Sequence, residues 1–485
     1  MLAEIREERI KKLARLKEAG VDSFPSKTRR DFEISRALAK FNELCRRKKP
    51  VYLAGRILAV RSHGGSVFFD FTDGTGKLQA LLRKNVLGEE LFSLFNETAD
   101  IGDFIELKGS LLLTKKKEKT IEVSEWRMLS KSLRPLPEKW HGMTDVEERF
   151  RKRYLDILMN EEVKGRFVLR SRLISEIRKF LDGENFLEVE TPILHQLSGG
   201  ANAEPFLTRH NALNIDLYLR IAPELYLKRL LVAGFDKIYE IGRLFRNEGI
   251  DPVHNPEFTE LELYEAYQDS DGLRNFLETF VKAIVKKFFG KKKLEYAEHK
   301  IEFGKKFKEI SFYDALSRYA FVMNPESVSL RELALKAKQF GIDARESDSR
   351  WKIADHIFKK ICRPKIIQPT FVVNYPLESS PLAKRISGKT LLDRFQLIMG
   401  GLEIANGFSE LNDPLEQAER FAASEKSAKE GDKEANLADM DFIEAMEYGM
   451  PPAAGVGLGI DRLAMLLTDT RNIKEIILFP TMRPK

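Results

Sequence analysis

The sequence predicts an α+β protein in two parts: a small five-stranded β-barrel, then a larger domain whose antiparallel sheet is flanked by helices. Three observations predict it. At 485 residues the chain is too long for one simple core. From about Val51 to Leu133 it breaks into short strand-like runs separated by turn signals. From about Asp145 onward, helical periods mix with long alternating strands.

Composition sets the class. Hydrophobic residues make up 43% and charged residues 32%, the balance of a soluble globular protein and not of a disordered or membrane one. The net charge of +7 and pI near 9.0 fit a polyanionic partner, although many basic proteins are simply soluble this way. Two cysteines, Cys45 and Cys362, lie far apart with no ligand spacing, which argues against a disulfide scaffold or a structural zinc site. The first ten residues alternate charged and apolar side chains without a signal-peptide core, and no apolar run approaches the roughly 20 residues of a membrane span. The expectation is a cytoplasmic protein with no membrane partner.

Residues 1–45 form an N-terminal helical extension. Its first helix places Leu2, Ile5, Ile10, Leu13 and Leu16 on one face and closes at Gly20. The mixed charges on its other faces read as a solvated surface. Residues 46–133 hold the strands VYLAGRILAV, SVFFDFTD, KLQALL, DFIELKGSLLLT and TIEVSEWRML, with one helical stretch around Glu89–Phe95. Five short strands in about 80 residues suggest a closed barrel of the OB-fold type, which binds oligonucleotides. Lys115, Lys116 and Lys117 sit in a hairpin loop there. The Arg134-Pro135-Leu136-Pro137 stretch begins a linker that runs to residue 144. Residues 145–485 form the larger domain, with a mostly helical insertion at about 274–360.

Four units in that domain can carry chemistry. KIYEIGRLFRNE reads as a strand with Arg246 and Glu248 on one face. EFTELELYEAY places Phe258, Glu260, Glu262 and Tyr264 on one face of the next strand. Such a face is costly to bury unless it binds something, and ordinary if solvated, so the residues alone leave both readings open. In AGVGLGIDRLAMLL, glycines at 455, 457 and 459 let another group approach a strand closely. Asp461 and Arg462 then open an apolar helix suited to an anion, or to a plain strand–helix joint. GLEIANGFSELNDP puts Asn406, Phe408 and Glu410 on one face after Glu403. In YLRIAPELYLKRLL, Pro223 opens a helix with Glu224 in its first turn, where a carboxylate also complements the helix dipole.

Together these motifs resemble the class II aminoacyl-tRNA synthetases. RFVLRSRLISEIRKFL followed by NFLEVETP is similar to motif 1, ending at Pro192. FRNEG…HNPEF is similar to motif 2 and GLGIDR to motif 3. The match runs from Val51 to the end. The preceding barrel marks the lysine, aspartate and asparagine subclass. SGGANAEPF, YPLESSPLAKR and GLEIANGFSELNDP resemble its lysine members, the lysyl-tRNA synthetases. The anionic set Glu224, Glu262 and Glu410 suits a lysine substrate, whereas an aspartate pocket would need cations.

The resemblance implies that L-lysine is activated with ATP and passed to tRNA(Lys) by a homodimer that uses Mg2+. It implies that Glu410 and Tyr264 hold the ε-amino group with Glu262 nearby, and that Glu224 and the Gly200 backbone hold the α-amino group. Arg246 and Asn406 would hold the carboxylate, with Phe408 on the aliphatic stem. For ATP it implies Arg246 at the α-phosphate, Arg462 at the γ-phosphate, Phe258 on adenine and His254 at the terminal phosphates, with Glu248 and Asn255 lining the nucleotide. Glu403, position 396 and Glu410 would surround the metal. In the barrel it implies an anticodon site at Phe68 and Gln79, with Arg56 and Glu125 beside them; Phe69 and Phe71 share the opposite, inward face. The chain departs from the family at Val253 and Glu204, where arginines are usual, and at Gln396, where a glutamate is usual. A relative that lysylates a translation factor would lack the barrel, and a non-catalytic RNA-binding derivative would have lost Arg246 and Arg462.

Overall fold

The computed structural model describes residues 2–47, 49–137, 143–290, 293–345, 348–429 and 438–484. Residues 138–142 of the expected linker lie outside them. The chain divides into two compact units, Met1–Thr144 and Asp145–Lys485.

The first unit begins with helices α1 (Leu2–Glu18), α2 (Ile34–Ala39) and α3 (Phe41–Arg47). Five strands follow: β1 (Val51–His63), β2 (Ser66–Thr72), β3 (Lys77–Arg83), β4 (Phe104–Leu113) and β5 (Lys119–Ser130). They close into a barrel in the order β1-β2-β3-β5-β4. The short α4 (Lys84–Leu87) and α5 (Glu89–Thr98) lie between β3 and β4. Alternation along β2 sends Val67, Phe69 and Phe71 inward. Phe69 stacks on Phe95 of α5 at 5.2 Å, and Phe95 meets Trp126 edge-on at 5.4 Å, so the helix plugs the barrel with aromatic area.

The buried stripe of α1 differs from the expected one. Leu16 is buried and Ile5 and Leu13 are half-buried, but Leu2 and Ile10 face solvent. Arg9 takes the inner position instead. Its guanidinium donates to the carbonyls of Ser132, Arg134 and Ile101 at 3.0–3.1 Å. A buried cation satisfied by carbonyls is invisible to a pattern that counts only apolar residues. Gly20, at φ +73°, lets the chain leave the helix, with Val21 N–H returning to the Leu16 carbonyl.

The second unit opens with α6 (Val146–Arg151), α7 (Arg153–Met159) and the long α8 (Glu161–Gly183). Then come β6 (Leu187–Glu188), β7 (Leu194–His195), β8 (Phe206–His210), β9 (Ile215–Leu219), α9 (Glu224–Val232), β10 (Lys237–Phe245), β11 (Glu257–Ala266) and α10 (Ser270–Phe289). The region expected to be mostly helical also carries strands: β12 (Lys293–Tyr296), β13 (His299–Glu302) and β14 (Lys308–Ser311) precede α11 (Phe312–Ala320), α12 (Leu330–Gln339) and α13 (Arg350–Ile357). In β12 and β13, Leu294, Tyr296 and Ile301 reach the main core. The lysines around them hide that alternation. The chain ends with β15 (Thr370–Pro376), β16 (Leu391–Met399), β17 (Leu402–Ser409), α14 (Pro414–Lys429), α15 (Met440–Glu447), β18 (Ala453–Gly459) and α16 (Ile460–Leu467).

Eight strands form the main sheet in the order β14-β15-β16-β17-β18-β11-β10-β6. The β14–β15 and β10–β6 pairs are parallel and the others antiparallel. One face packs Leu261, Leu263, Val456, Leu458, Ile404 and Phe395 against the apolar sides of α8, α10 and α16. Because side chains alternate, the intervening residues of β11 and β18 point to the other face, as do Asn406 and Phe408 of β17 beyond its bulge. That face holds the polar set of the next section. The first strand of the motif 2 region stops at Phe245, so Arg246 and Glu248 lie in the loop beyond it and share no strand face.

Candidate active site

Register assembles the site in rows across β17, β18 and β11. Phe408, Gly455 and Tyr264 are direct neighbours, and so are Asn406, Gly457 and Glu262. The next row pairs Glu260 with Gly459. The central strand thus presents glycines where its neighbours present functional groups, and that leaves a trough. A Cβ at Gly457 would stand 2.6 Å from Glu260 Oε1, and one at Gly455 would press into the Tyr264 ring and Glu410. At 455 the glycine is required by volume, because the Tyr264 ring cannot give way, whereas at 457 only the flexible end of Glu260 would have to shift.

One end of the trough is anionic. Helix α9 brings in Glu224, whose buried carboxylate lies 2.6 Å from the Lys228 ammonium one turn on. Lys228 also lies 2.5 Å from Glu410 Oε2 and 5.3 Å from the centre of the Phe408 ring. Tyr264 donates its hydroxyl to Glu262 at 3.0 Å. Burial pushes Glu224, Glu260 and Glu262 up from the usual carboxylate range. Burial pushes Glu410 up to about 8, against the pull of Lys228. Glu410 is 1% exposed, and neither of its oxygens has a partner of hydrogen-bond geometry among the described residues. Gly200 sits at φ +89° with the Cβ atoms of Ala222 and Glu224 just over 3 Å from where its own would be, so its backbone lies close against the carboxylate-bearing turn.

The other end is cationic. Arg246 lies over the Phe258 ring at 4.9 Å and 3.7 Å from Glu260, and its Nε is buried without a hydrogen-bond partner among the described residues. Arg462, in the first turn of α16, donates to the Glu403 carbonyl at 3.2 Å and meets His254 Nε2 at 2.9 Å. Arginine can only donate, so Nε2 accepts and the imidazole proton sits on Nδ1, facing Asp251 at 2.7 Å. Burial would raise Glu403, but Arg462 and Arg363 hold it below the ordinary carboxylate range. Asp461 accepts from Thr259 N–H and pairs with Arg170, which pins the start of α16 to β11 and α8. Asn255 is buried, its amide donating to the Glu257 carbonyl. Glu248 is exposed in the loop after β10, away from the trough floor.

The metal set is incomplete in charge. Gln396 is buried and its amide oxygen accepts the Tyr375 hydroxyl at 2.9 Å. Glu410 is held by Lys228, a cation already in place, so the structure gives no reason to seat a metal there. Among the described residues no group of three or more histidine, cysteine or carboxylate side chains is placed to hold a metal. Glu403 remains as the one charged ligand of the expected set. Magnesium held through a single carboxylate needs oxygens from elsewhere, as when nucleotide phosphates supply them.

Sequence reasoning missed Lys228, Arg394 and Tyr375. Arg394 donates to Asn406 at 3.0 Å and so orients its amide. The signal for Lys228 was its position four residues after Glu224, one helical turn along the same face.

In the barrel, Phe68 is half-buried on the outer face, opposite Arg61 and Leu81. Gln79 shares that face but is 6% exposed, and its oxygen accepts the Thr120 hydroxyl at 2.9 Å. Arg56 and Glu125 are not beside them. Arg56 lies five residues from Arg61 on β1, about 16 Å along the strand, with its guanidinium over Phe104. Glu125 pairs with Arg29 and Lys108.

Residues 145–483 match the family model described as tRNA synthetases class II (D, K and N), and residues 51–129 match that of the OB-fold nucleic acid binding domain. A protein of Pelotomaculum thermopropionicum named lysine–tRNA ligase is 47% identical, over 100% of this chain and 96% of its own length. One of the same name from Carboxydothermus hydrogenoformans is 46% identical, over 100% and 99%. Another from Aquifex aeolicus is 47% identical, over 90% and 74%.

Proposed function

This chain belongs to the class II lysine–tRNA ligases, and from that premise we propose how its residues share the work. The enzyme joins L-lysine to ATP, giving lysyl-adenylate and pyrophosphate, and then transfers lysine to the 3′ end of its cognate tRNA. The observation that carries the substrate assignment is Glu410: a buried carboxylate that Lys228 meets at Oε2, with Oε1 left without a partner among the described residues, at the end of a trough floored by Phe408 and Gly455. An ammonium at the end of an aliphatic chain answers that need.

Lysine then lies with its ε-ammonium at Glu410 and Tyr264, Glu262 nearby, and its stem on Phe408. Its α-ammonium meets Glu224 and the Gly200 backbone. Its carboxylate meets Arg246 and Asn406. ATP places its α-phosphate at Arg246 and its terminal phosphates at Arg462 and His254, adenine on Phe258, and the remainder against Asn255 and Glu248. No general base is needed, because the lysine carboxylate is ionised and nucleophilic at neutral pH. Catalysis is positioning plus neutralisation of charge at the α-phosphate and the departing pyrophosphate by Arg246 and Arg462. Mg2+ is expected for this family; Glu403 would hold it together with the nucleotide's own oxygens, and it would add further charge neutralisation there.

The anticodon of tRNA(Lys) is placed on the outer face of the barrel around Phe68. A homodimer is supported by exposed apolar side chains on and around β6–β9, among them Leu187, Ile193, Leu194, Leu207 and Ile215. Among the described residues no helix is long and apolar enough to cross a membrane, and we place the enzyme in the cytoplasm with its tRNA. ATP–pyrophosphate exchange measured with each amino acid tests the assignment. Lysine alone should drive it, and exchange driven by aspartate or asparagine would overturn it. Sedimentation at working concentration tests the dimer.

A further inference from the structure

The pocket contains a lysine of its own. Lys228 is fully buried, with Nζ 2.6 Å from Glu224 Oε1 and 2.5 Å from Glu410 Oε2. Those distances keep the two oxygens within about 5 Å of each other, so without the ammonium two like charges would face one another in a dry site. The groups around them do not supply a substitute. From β11 come Glu260, Glu262 and Tyr264, which add negative charge or a neutral hydroxyl, and from β17 comes the apolar Phe408. Arg394 of β16 acts on Glu224 at longer range, but its guanidinium is committed to Asn406 and the Ser379 carbonyl. Arg246 lies at the opposite end, beside Glu260.

We propose that Lys228 is a positioning residue for the amino-acid substrate: its buried ammonium bridges Glu224 and Glu410, offsets the repulsion between them and fixes their spacing, so that each can face one of the two ammonium groups of lysine. Lys228 reaches only one oxygen of each carboxylate, Oε1 of Glu224 and Oε2 of Glu410, so the second oxygen of each is left for the ligand. Its own place is fixed, because it leaves α9 one turn after Glu224 and has no exposed path. Removing the ammonium leaves a carboxylate pair with its repulsion unopposed, which holds its proton to higher pH and loses its fixed spacing, and a protonated carboxyl is a poor partner for an incoming ammonium.

The inference rests on the assignment of this pocket to lysine, and a Glu410→Gln control separates the two. Exchange kinetics with the full-length enzyme should show Lys228→Met raising the KM for lysine by about tenfold or more, while the KM for ATP stays within about twofold. The pH at which the lysine KM levels off should move upward in Lys228→Met relative to the unchanged enzyme, because the carboxylate pair then keeps its proton to higher pH, an effect that a packing defect alone would not produce. Lys228→Arg, which keeps the charge, should rescue the lysine KM better than Lys228→Met. If the Met variant does not give a cooperative melt, Lys228→Gln, polar but uncharged, replaces it with the same expected result. An unchanged lysine KM in the uncharged variants, or an equal rise in the KM for ATP, overturns the proposal. If Glu410→Gln also leaves the lysine KM unchanged, the pocket assignment itself fails; if Glu410→Gln raises it and Lys228→Met does not, only the role of Lys228 fails.

Discussion

Gly455 lies directly opposite Tyr264 in the β11–β18 ladder, and the missing side chain of one makes room for the ring of the other. A Cβ at 455 would overlap the Tyr264 ring and Glu410 Oε1. Gly455→Ala should therefore displace the residues assigned to the ε-ammonium while the strand stays paired. Overpacking of this kind costs about 1–3 kcal/mol. The measurement is the KM for lysine in pyrophosphate exchange, which should rise about tenfold or more, against a nearly constant KM for ATP.

Glu410 gives the lysine site a pH dependence. Its folded value of about 8 lies above the ordinary carboxylate range, with burial as the chief cause and Lys228 opposing it. Between the ordinary range and about 8 the empty protein holds a proton that the unfolded chain has released. Stability from this group is thus present at low pH and declines as pH rises toward 8. Binding of the substrate ammonium favours the charged carboxylate and expels the proton. Lysine should bind more tightly as pH rises from 6.5 to about 8. Calorimetry at pH 7 in buffers of different protonation enthalpy should register proton release, and Glu410→Gln should abolish it.

Gln396 bears on magnesium. Its oxygen is occupied by the Tyr375 hydroxyl, which leaves Glu403 as the charged ligand. Gln396→Glu should lower the magnesium concentration needed for half-maximal exchange, since magnesium favours carboxylates. Binding of Mn2+ as a paramagnetic probe, without nucleotide, should also become detectable in that variant. The same or a higher magnesium requirement would remove position 396 from the ligand set.

Phe68→Ala should weaken tRNA charging by about 1–3 kcal/mol, the value of one stacked base, and leave lysine-dependent exchange nearly intact. Phe68 is only half-buried and points away from the Phe69–Phe95 stack, so the barrel core should survive. Equal losses in the two assays would assign Phe68 to structure.

The strands that build the site were legible because period-2 alternation survives in them: Glu260, Glu262 and Tyr264 share a face in the sequence and in the sheet. The glycines of β18 were legible as a sign of close approach, but not their partners. Gly457 meets Glu262 and Asn406 only through the sheet register, across 195 and 51 residues of chain. Arg246 was read onto a strand that ends one residue before it, since the apolar-polar pattern runs on into the loop. Lys228 was not legible because nothing in a helical pattern reveals that the facing element brings a carboxylate. Arg9 escaped for the same reason. Its partners are carbonyls, which every sequence has and none displays.

Arg9 is made near the start of the chain, but the Ser132 and Arg134 carbonyls that receive it lie 123 and 125 residues later. At about 5–20 residues per second a ribosome needs roughly 6–25 s to supply them. During that interval Arg9 lacks two of its three acceptor carbonyls, and the single fully buried leucine of α1 gives it little other hold. The first helix to be synthesised is therefore among the last parts of its unit to settle, and its closure reports that β5 and the residues beyond it have already found their places.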